Sequence, residues 1–155
     1  MTATDAAPAS HERAAFTLVH PMRVRWAEVD MQRVVFNGNY LTYFDTAVAE
    51  YWRAITAQTG RDYTEDYLRL YAVKATLDFH ASAHYDEMIE VGCRLARLGR
   101  SSMTLAFAIW RGAERLVTGE IVYVHVGAAQ KKSAPLPDYL RADMLAFERT
   151  PPATA

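Results

Sequence analysis

Between Tyr40 and Gln58 the apolar residues Tyr40, Phe44, Ala47, Val48, Tyr51 and Ile55 recur at helical spacing, with Thr42, Thr46, Glu50 and Arg53 opposite them. Leu41, Tyr43 and Trp52 widen the apolar arc, so the predicted helix is one wrapped by other structure rather than lying on a surface. Asn37 and Asn39 are expected to cap its start, Gly38 to loosen the entry and Gly60 to stop it. Before this helix, Phe16, Leu18, Val24 and Trp26 predict a strand over 16–28, interrupted by Pro21 as an edge strand or a bulge would be. After it, a polar connection with one helical turn near Tyr63 to Leu70 leads into period-two patterning. Val73, Ala75, Leu77 and Phe79 alternate with Lys74, Thr76, Asp78 and His80; Ile89 to Leu95 and Met103 to Ile109 repeat the pattern. A fourth strand, Leu116 to Val126, is apolar on both faces.

Short turns at Leu98-Gly99-Arg100-Ser101 and Arg111-Gly112-Ala113-Glu114 predict antiparallel hairpins. Pro135 and Pro137 end the sheet, and Asp138 starts a short helix carrying Leu140, Met144 and Phe147. The expected class is therefore α+β, an antiparallel sheet wrapped around one long central helix. The two-faced strand 116–126 predicts that a second copy of the chain covers what the helix leaves open, giving a homodimer or a dimer of dimers.

At 155 residues and 51% hydrophobic content, the chain is sized for one domain with an ample core. The expected boundaries are a disordered tail over 1–14, a domain over 15–148 and a second tail over 149–155. Seventeen basic and 18 acidic residues nearly cancel, so nothing drives the protein as a whole toward nucleic acid or anionic lipid. The single Cys93 forms no internal disulfide and lies in an apolar alternation, as core filler does. The N-terminal stretch lacks a signal-like apolar core, and no run is long enough to insert in a membrane. A soluble, unprocessed, cytoplasmic protein is the expectation.

Nucleophile and metal motifs are missing: there is no HExxH, no GxSxG and no phosphate-cradling glycine loop. His80 and His84 share a spacing, but no third imidazole or supporting carboxylate accompanies them, so no metal and no cofactor is expected. The segment from Glu28 to Tyr40 stands out. One reading makes Asp30 a turn former and Asn37 a helix cap. The other sets Asp30 as a base beside the free N–H groups of Asn37, Gly38 and Asn39, whose helix-start dipole suits a developing oxyanion.

Asp30, then Val34-Val35-Phe36, then Asn39-Tyr40 with Phe44 and Ala47, resembles the signature of hotdog-fold acyl-CoA thioesterases of the 4-hydroxybenzoyl-CoA type, including the Tol-Pal-associated branch. Leu98-Gly99-Arg100-Ser101-Ser102 and Pro135-Leu136-Pro137 continue the resemblance in order, so that it spans roughly 17–142. It implies a hotdog fold and hydrolysis of an acyl-CoA to a carboxylic acid and free coenzyme A. Asp30 then attacks the thioester carbonyl or deprotonates a water, while Asn37 and Gly38 polarise the carbonyl. Asn37 departs from the His or Tyr usual at its position, and an amide donates a hydrogen bond but exchanges no proton near neutral pH. Arg33 departs from a usual Gly; it meets an anionic acyl group, the coenzyme A phosphates or solvent.

The same resemblance implies that Val35, Phe36 and Tyr40 line the substrate and that Asp45 touches it or faces water. Arg100, Ser101 and Ser102 contact coenzyme A phosphates or form a solvated turn, with Lys131 and Lys132 as further phosphate candidates. Two other readings stand beside hydrolysis. An enoyl-thioester hydratase on the same fold wants an Asp and His pair, and a non-catalytic acyl-thioester binding protein is compatible with Asn37.

Overall fold

The computed structural model describes residues 11–129 and 132–154. A 3₁₀ turn at Arg13–Ala15 precedes β1 (Leu18–Arg23), and a second at Trp26–Glu28 follows it. Helix α1 (Asn39–Thr59) comes next, followed by the single-turn α2 (Thr64–Tyr67) and the strands β2 (Leu70–Phe79), β3 (Met88–Leu98), β4 (Ser102–Arg111) and β5 (Glu114–His125). Helix α3 (Asp138–Phe147) and the two-residue β6 (Ala153–Thr154) complete the chain. The strand order is β1-β3-β4-β5-β2, antiparallel throughout, with β6 added in parallel to the end of β3.

The central helix buries Tyr40, Tyr43, Phe44, Ala47, Tyr51, Trp52 and Ile55, close to the predicted stripe. These pack on the sheet face made by Val91, Cys93 and Leu95 of β3, Leu105, Phe107 and Ile109 of β4 and Ile121 of β5. The Phe44 ring stacks on Phe107, with centroids 4.4 Å apart. A Cβ on Gly119 would lie 2.7 Å from that ring and 2.6 Å from the Thr76 carbonyl, so glycine makes the approach possible. Gly60 closes the helix at φ 74° and donates to the Thr56 carbonyl. Val73, Ala96 and Leu116 are extra residues at breaks in strand register, and such bulges add the twist by which a sheet curls around a helix.

Several expectations change. The first strand ends at Arg23, and Trp26–Glu28 turns as a 3₁₀ helix, because Glu28 folds back onto Arg25. Gly38 occupies the N-cap of α1 without a side-chain cap, and Asn39 instead donates its amide to the Glu28 carbonyl at 2.9 Å. On β2 the Val73 bulge shifts the alternation, so Leu70 and Ala72 join Ala75, Leu77 and Phe79 on the helix side.

The strand with an unpaired edge is β2, while the outer face of β5 keeps Val122 and Val124 only partly buried. Strand β5 lies between β4 and β2, whereas β2 is an edge with Tyr71, Val73 and Phe79 each more than half exposed. Residues near both ends of the described chain are tied to the sheet. Arg13 pairs with Glu90 at 2.5 Å, Ala15 and Phe16 pack with Ala108 and Trp110, and β6 joins the sheet. Residues 1–10, 130–131 and 155 lie outside the description. Among the described residues, no helix is long and apolar enough to cross a membrane.

Candidate functional site

The connection from β1 to α1 folds into a tight loop because each of its turns is tied to something. Val29 bridges Val35, the Asp30 N–H donates to the Val34 carbonyl and the Arg33 N–H to the Asp30 carbonyl, both at 2.9 Å. The Val35 N–H donates to Ala83, and the Ala83 N–H donates to the Tyr40 hydroxyl, so the β2–β3 connection is pinned across the helix start. Asp30 is half-buried at the tip. Its Oδ1 accepts the Gln32 N–H at 2.7 Å, as a turn former does, while Oδ2 accepts nothing among the described residues. The sequence offered turn former and functional carboxylate as alternatives; one oxygen performs the first role and the other is free.

Asp30 lines two depressions. One, of about 370 Å³, is bounded by Gln32, Val34, Val35, Phe36, Asn37, Tyr40, Phe79, Ala81 and Ser82. The other, of about 410 Å³, is bounded by Trp26, Val29, Arg33 and Tyr85. Asn37 and Gly38 are exposed at the start of α1, and their N–H groups have no acceptor among the described residues. The Phe36 ring lies over Gly38, where a Cβ would come within 3.0 Å of it. Val35 and Tyr40 are core residues that also show a surface to the first depression. No histidine lines either depression, so the acid-base pair a hydratase wants is not assembled here. His80 bonds Thr118, and His84 sits with Glu87 and Arg111. Among the described residues, no group of His, Cys, Asp or Glu is arranged to hold a metal ion.

Glu28 is the residue the sequence did not single out. Its carboxylate is buried and accepts the Arg25 N–H at 2.8 Å, the Arg25 Nε at 2.7 Å and the Tyr43 hydroxyl at 2.7 Å. Its carbonyl accepts the Phe36 N–H and the Asn39 amide. Burial works against its charge, but those hydrogen bonds and the Arg25 guanidinium outweigh it and hold the carboxyl below the usual glutamate range. One side chain and one carbonyl thus fasten both ends of the Asp30 loop to α1. The partner Tyr43 is 15 residues away and gives no local signature.

The remaining candidates lie elsewhere. Asp45 faces a groove of about 540 Å³ with Val48, Arg53, Leu68, Leu70 and Tyr123, and burial raises its carboxyl. Arg100, Ser101 and Ser102 form the β3–β4 turn, where their carbonyls accept from Leu136, His125 and Gly99 respectively. His125 pairs with Leu70, at the end of β2 opposite Phe79, so this turn and Asp30 sit a strand length apart, about 30 Å. One chain does not bring them together. Lys132 is exposed near the same turn, and Lys131 is outside the described residues. Cys93 is fully buried and its thiol is pushed up by burial, as in a packing role.

A curved antiparallel sheet clasping one long helix is the hotdog fold, and solved structures share it. A thioesterase from Thermus thermophilus, complexed with coenzyme A and Zn, superposes with a TM-score of 0.78 at 25% identity, covering 88% of this chain and 98% of its own. A Pseudomonas aeruginosa PAO1 protein gives 0.72 at 26% identity, covering 89% and 96%. In sequence, a putative esterase of Aquifex aeolicus (strain VF5) is 26% identical over 96 residues, 60% of this chain and 72% of that protein. The profile of the thioesterase superfamily matches residues 32–118, more than half of the chain. The chain belongs to the thioesterase superfamily and is a thioester hydrolase.

Proposed function

We propose that the protein hydrolyses an acyl-CoA to the carboxylic acid and free coenzyme A, with Asp30 as general base or nucleophile. The observation that carries this is a half-buried carboxylate with a free oxygen, lining the same depression as Asn37, whose N–H, like that of Gly38, is unpaired just ahead of α1, whereas the Asn39 N–H is taken by the Phe36 carbonyl. The thioester carbonyl accepts hydrogen bonds from the Asn37 and Gly38 N–H groups, which stabilise the negative charge that builds on its oxygen. As a base, Asp30 takes a proton from water, the hydroxyl adds to the carbonyl carbon, the C–S bond breaks, and the thiolate leaves with the proton. As a nucleophile, the Asp30 carboxylate adds to the carbonyl carbon, the C–S bond breaks and the departing thiolate leaves behind a mixed anhydride. Water then cleaves the anhydride to the acid and the Asp30 carboxylate, and the released proton goes to the thiolate. The Asn37 side chain adds a neutral donor to either route.

The reading includes a homodimer paired through β2. That strand's unpaired edge and exposed Tyr71, Val73 and Phe79 are what a second copy would cover. Two-fold antiparallel pairing sets the Leu70 end of one copy beside the Phe79 end of the other. It thereby brings the partner's Arg100 turn and Asp45 groove toward Asp30, supporting a crevice shared by two chains, with Arg100, Ser101 and Ser102 on the coenzyme A phosphates.

The test is thiol release across short, long, branched and aromatic acyl-CoAs, with Asp30→Asn alongside. The variant keeps an oxygen for the Gln32 N–H, so the loop stays folded, and kcat is expected to fall about 10²- to 10⁴-fold. Retention of most of the kcat would remove Asp30 from the mechanism.

A further inference from the structure

The second depression beside Asp30 holds an unusual combination. Trp26 is 74% exposed, a poor place for the largest apolar side chain, and its ring meets Tyr85 edge to face with centroids 5.2 Å apart. Val29, Asp30 and Arg33 complete the walls. Arg33 occupies the last position of a turn closed by its own N–H donating to Asp30, followed by the Asp30 N–H to Val34, and its φ is 63°. Glycine is the residue such a turn favours, because a side chain there is strained. A non-glycine held at this dihedral beside a reactive carboxylate is an outlier that asks for a function. The guanidinium forms no ion pair among the described residues, not even with Asp30, so its charge is available to a ligand.

We propose that this depression is the acyl subsite and that it selects acyl groups carrying an anionic substituent, a carboxylate above all, on a flat apolar body. The inference rests on the thioesterase reading of Asp30 and names the substrate class of that site. Trp26 and Tyr85 receive the apolar body, and the Arg33 fork receives the anion. Placement bears on the source of that anion. Arg33 and Asp30 belong to one tight turn and line the same depression, which favours an anion carried by the acyl group itself. The coenzyme A phosphates are separated from the carbonyl under attack by the whole pantetheine arm.

The experiment compares benzoyl-CoA with 4-carboxybenzoyl-CoA on the wild-type protein, Arg33→Gly and Trp26→Ala. The wild type is expected to prefer the carboxylated ester. Arg33→Gly, which relieves the dihedral, should melt at the same or a higher temperature while the carboxylated-to-neutral ratio of kcat/KM falls about tenfold. Trp26→Ala should raise KM for both esters. The same pair as N-acetylcysteamine thioesters, which carry no phosphate, should show an undiminished Arg33 effect; its disappearance there would assign Arg33 to the nucleotide and overturn the proposal. A ratio unchanged within about twofold in Arg33→Gly would also overturn it.

Binding is read independently of turnover by titrating benzene-1,4-dicarboxylate and benzoate against tryptophan fluorescence. Trp52 and Trp110 are buried, so Trp26 carries the response, and Trp26→Phe should abolish it. Tighter binding of the dicarboxylate that is lost in Arg33→Gly supports the subsite even if neither ester is cleaved; absence of thiol release across the whole acyl-CoA panel is what would refute the acyl-CoA reading of Asp30. Equal binding of the two acids refutes the subsite.

Discussion

Replacing Tyr43 with Phe removes one hydroxyl from the clasp that holds the Asp30 loop. That hydroxyl donates at 2.7 Å to Glu28, whose side chain is only 8% exposed. The carboxylate keeps the Arg25 N–H and guanidinium, so it stays charged and loses a single charge-assisted hydrogen bond, about 2 kcal/mol. For a chain of this size the loss corresponds to a melting point lower by about 4 to 8 °C. The pH dependence identifies the partner. Glu28 is held below the unfolded glutamate value near 4.3, so the stability it contributes is fully present above that value and is lost as pH falls through the folded one. Denaturant unfolding of wild type and Tyr43→Phe should therefore differ by about 2 kcal/mol at pH 7 and by about 1 kcal/mol once Glu28 is protonated, where only a neutral hydrogen bond is at stake. Thiol release should show kcat falling more than KM changes, because the loop carrying Asp30 loosens while the depressions keep their walls. A difference under about 0.5 kcal/mol, or one that does not change with pH, would refute the clasp.

Three other outcomes follow from the packing. Ala75→Asp, near the midpoint of β2, would place like charges opposite each other across a two-fold pair, so sedimentation velocity should show monomers and thiol release should drop with them. Dimers persisting in that variant would move the interface off β2. Gly119→Ala forces a methyl against the Thr76 carbonyl and the Phe44 ring and should cost about 1 to 3 kcal/mol in urea unfolding; a neutral result would mean the helix stands further from the sheet. Glu148 accepts from the Tyr51 hydroxyl and the Leu95 N–H through Oε1, while Oε2 is buried without a hydrogen bond. Burial pushes its carboxyl up despite those bonds and the nearby Arg94. Its ionisation thus costs stability as pH rises from the unfolded value through the folded one. Glu148→Gln should gain on wild type between pH 4 and pH 7, and a difference flat across that range would contradict this.

Local pattern carried much of the architecture. The stripe from Tyr40 to Ile55 predicts the one long helix because burial of a helical face repeats every turn, and the alternations in β2, β3 and β4 predict strands for the corresponding reason. Asp30, Asn37 and Gly38 could be singled out as candidates because they lie in the one short segment that leads into the helix start. Glu28 was not, since what makes it matter is Tyr43 on another element and a burial that no residue type announces.

The division between the two levels is physical. Periodicity and turn chemistry are properties of neighbours along the chain, so sequence alone determined that a helix is followed by antiparallel strands and that a carboxylate precedes the helix. Which strand becomes the open edge, where a bulge such as Val73 turns a face over, and that Arg100 lies a strand length from Asp30 depend on pairings between distant segments. Only the tertiary structure decided those, because the free energy of a strand edge or a buried carboxylate is set by what packs against it.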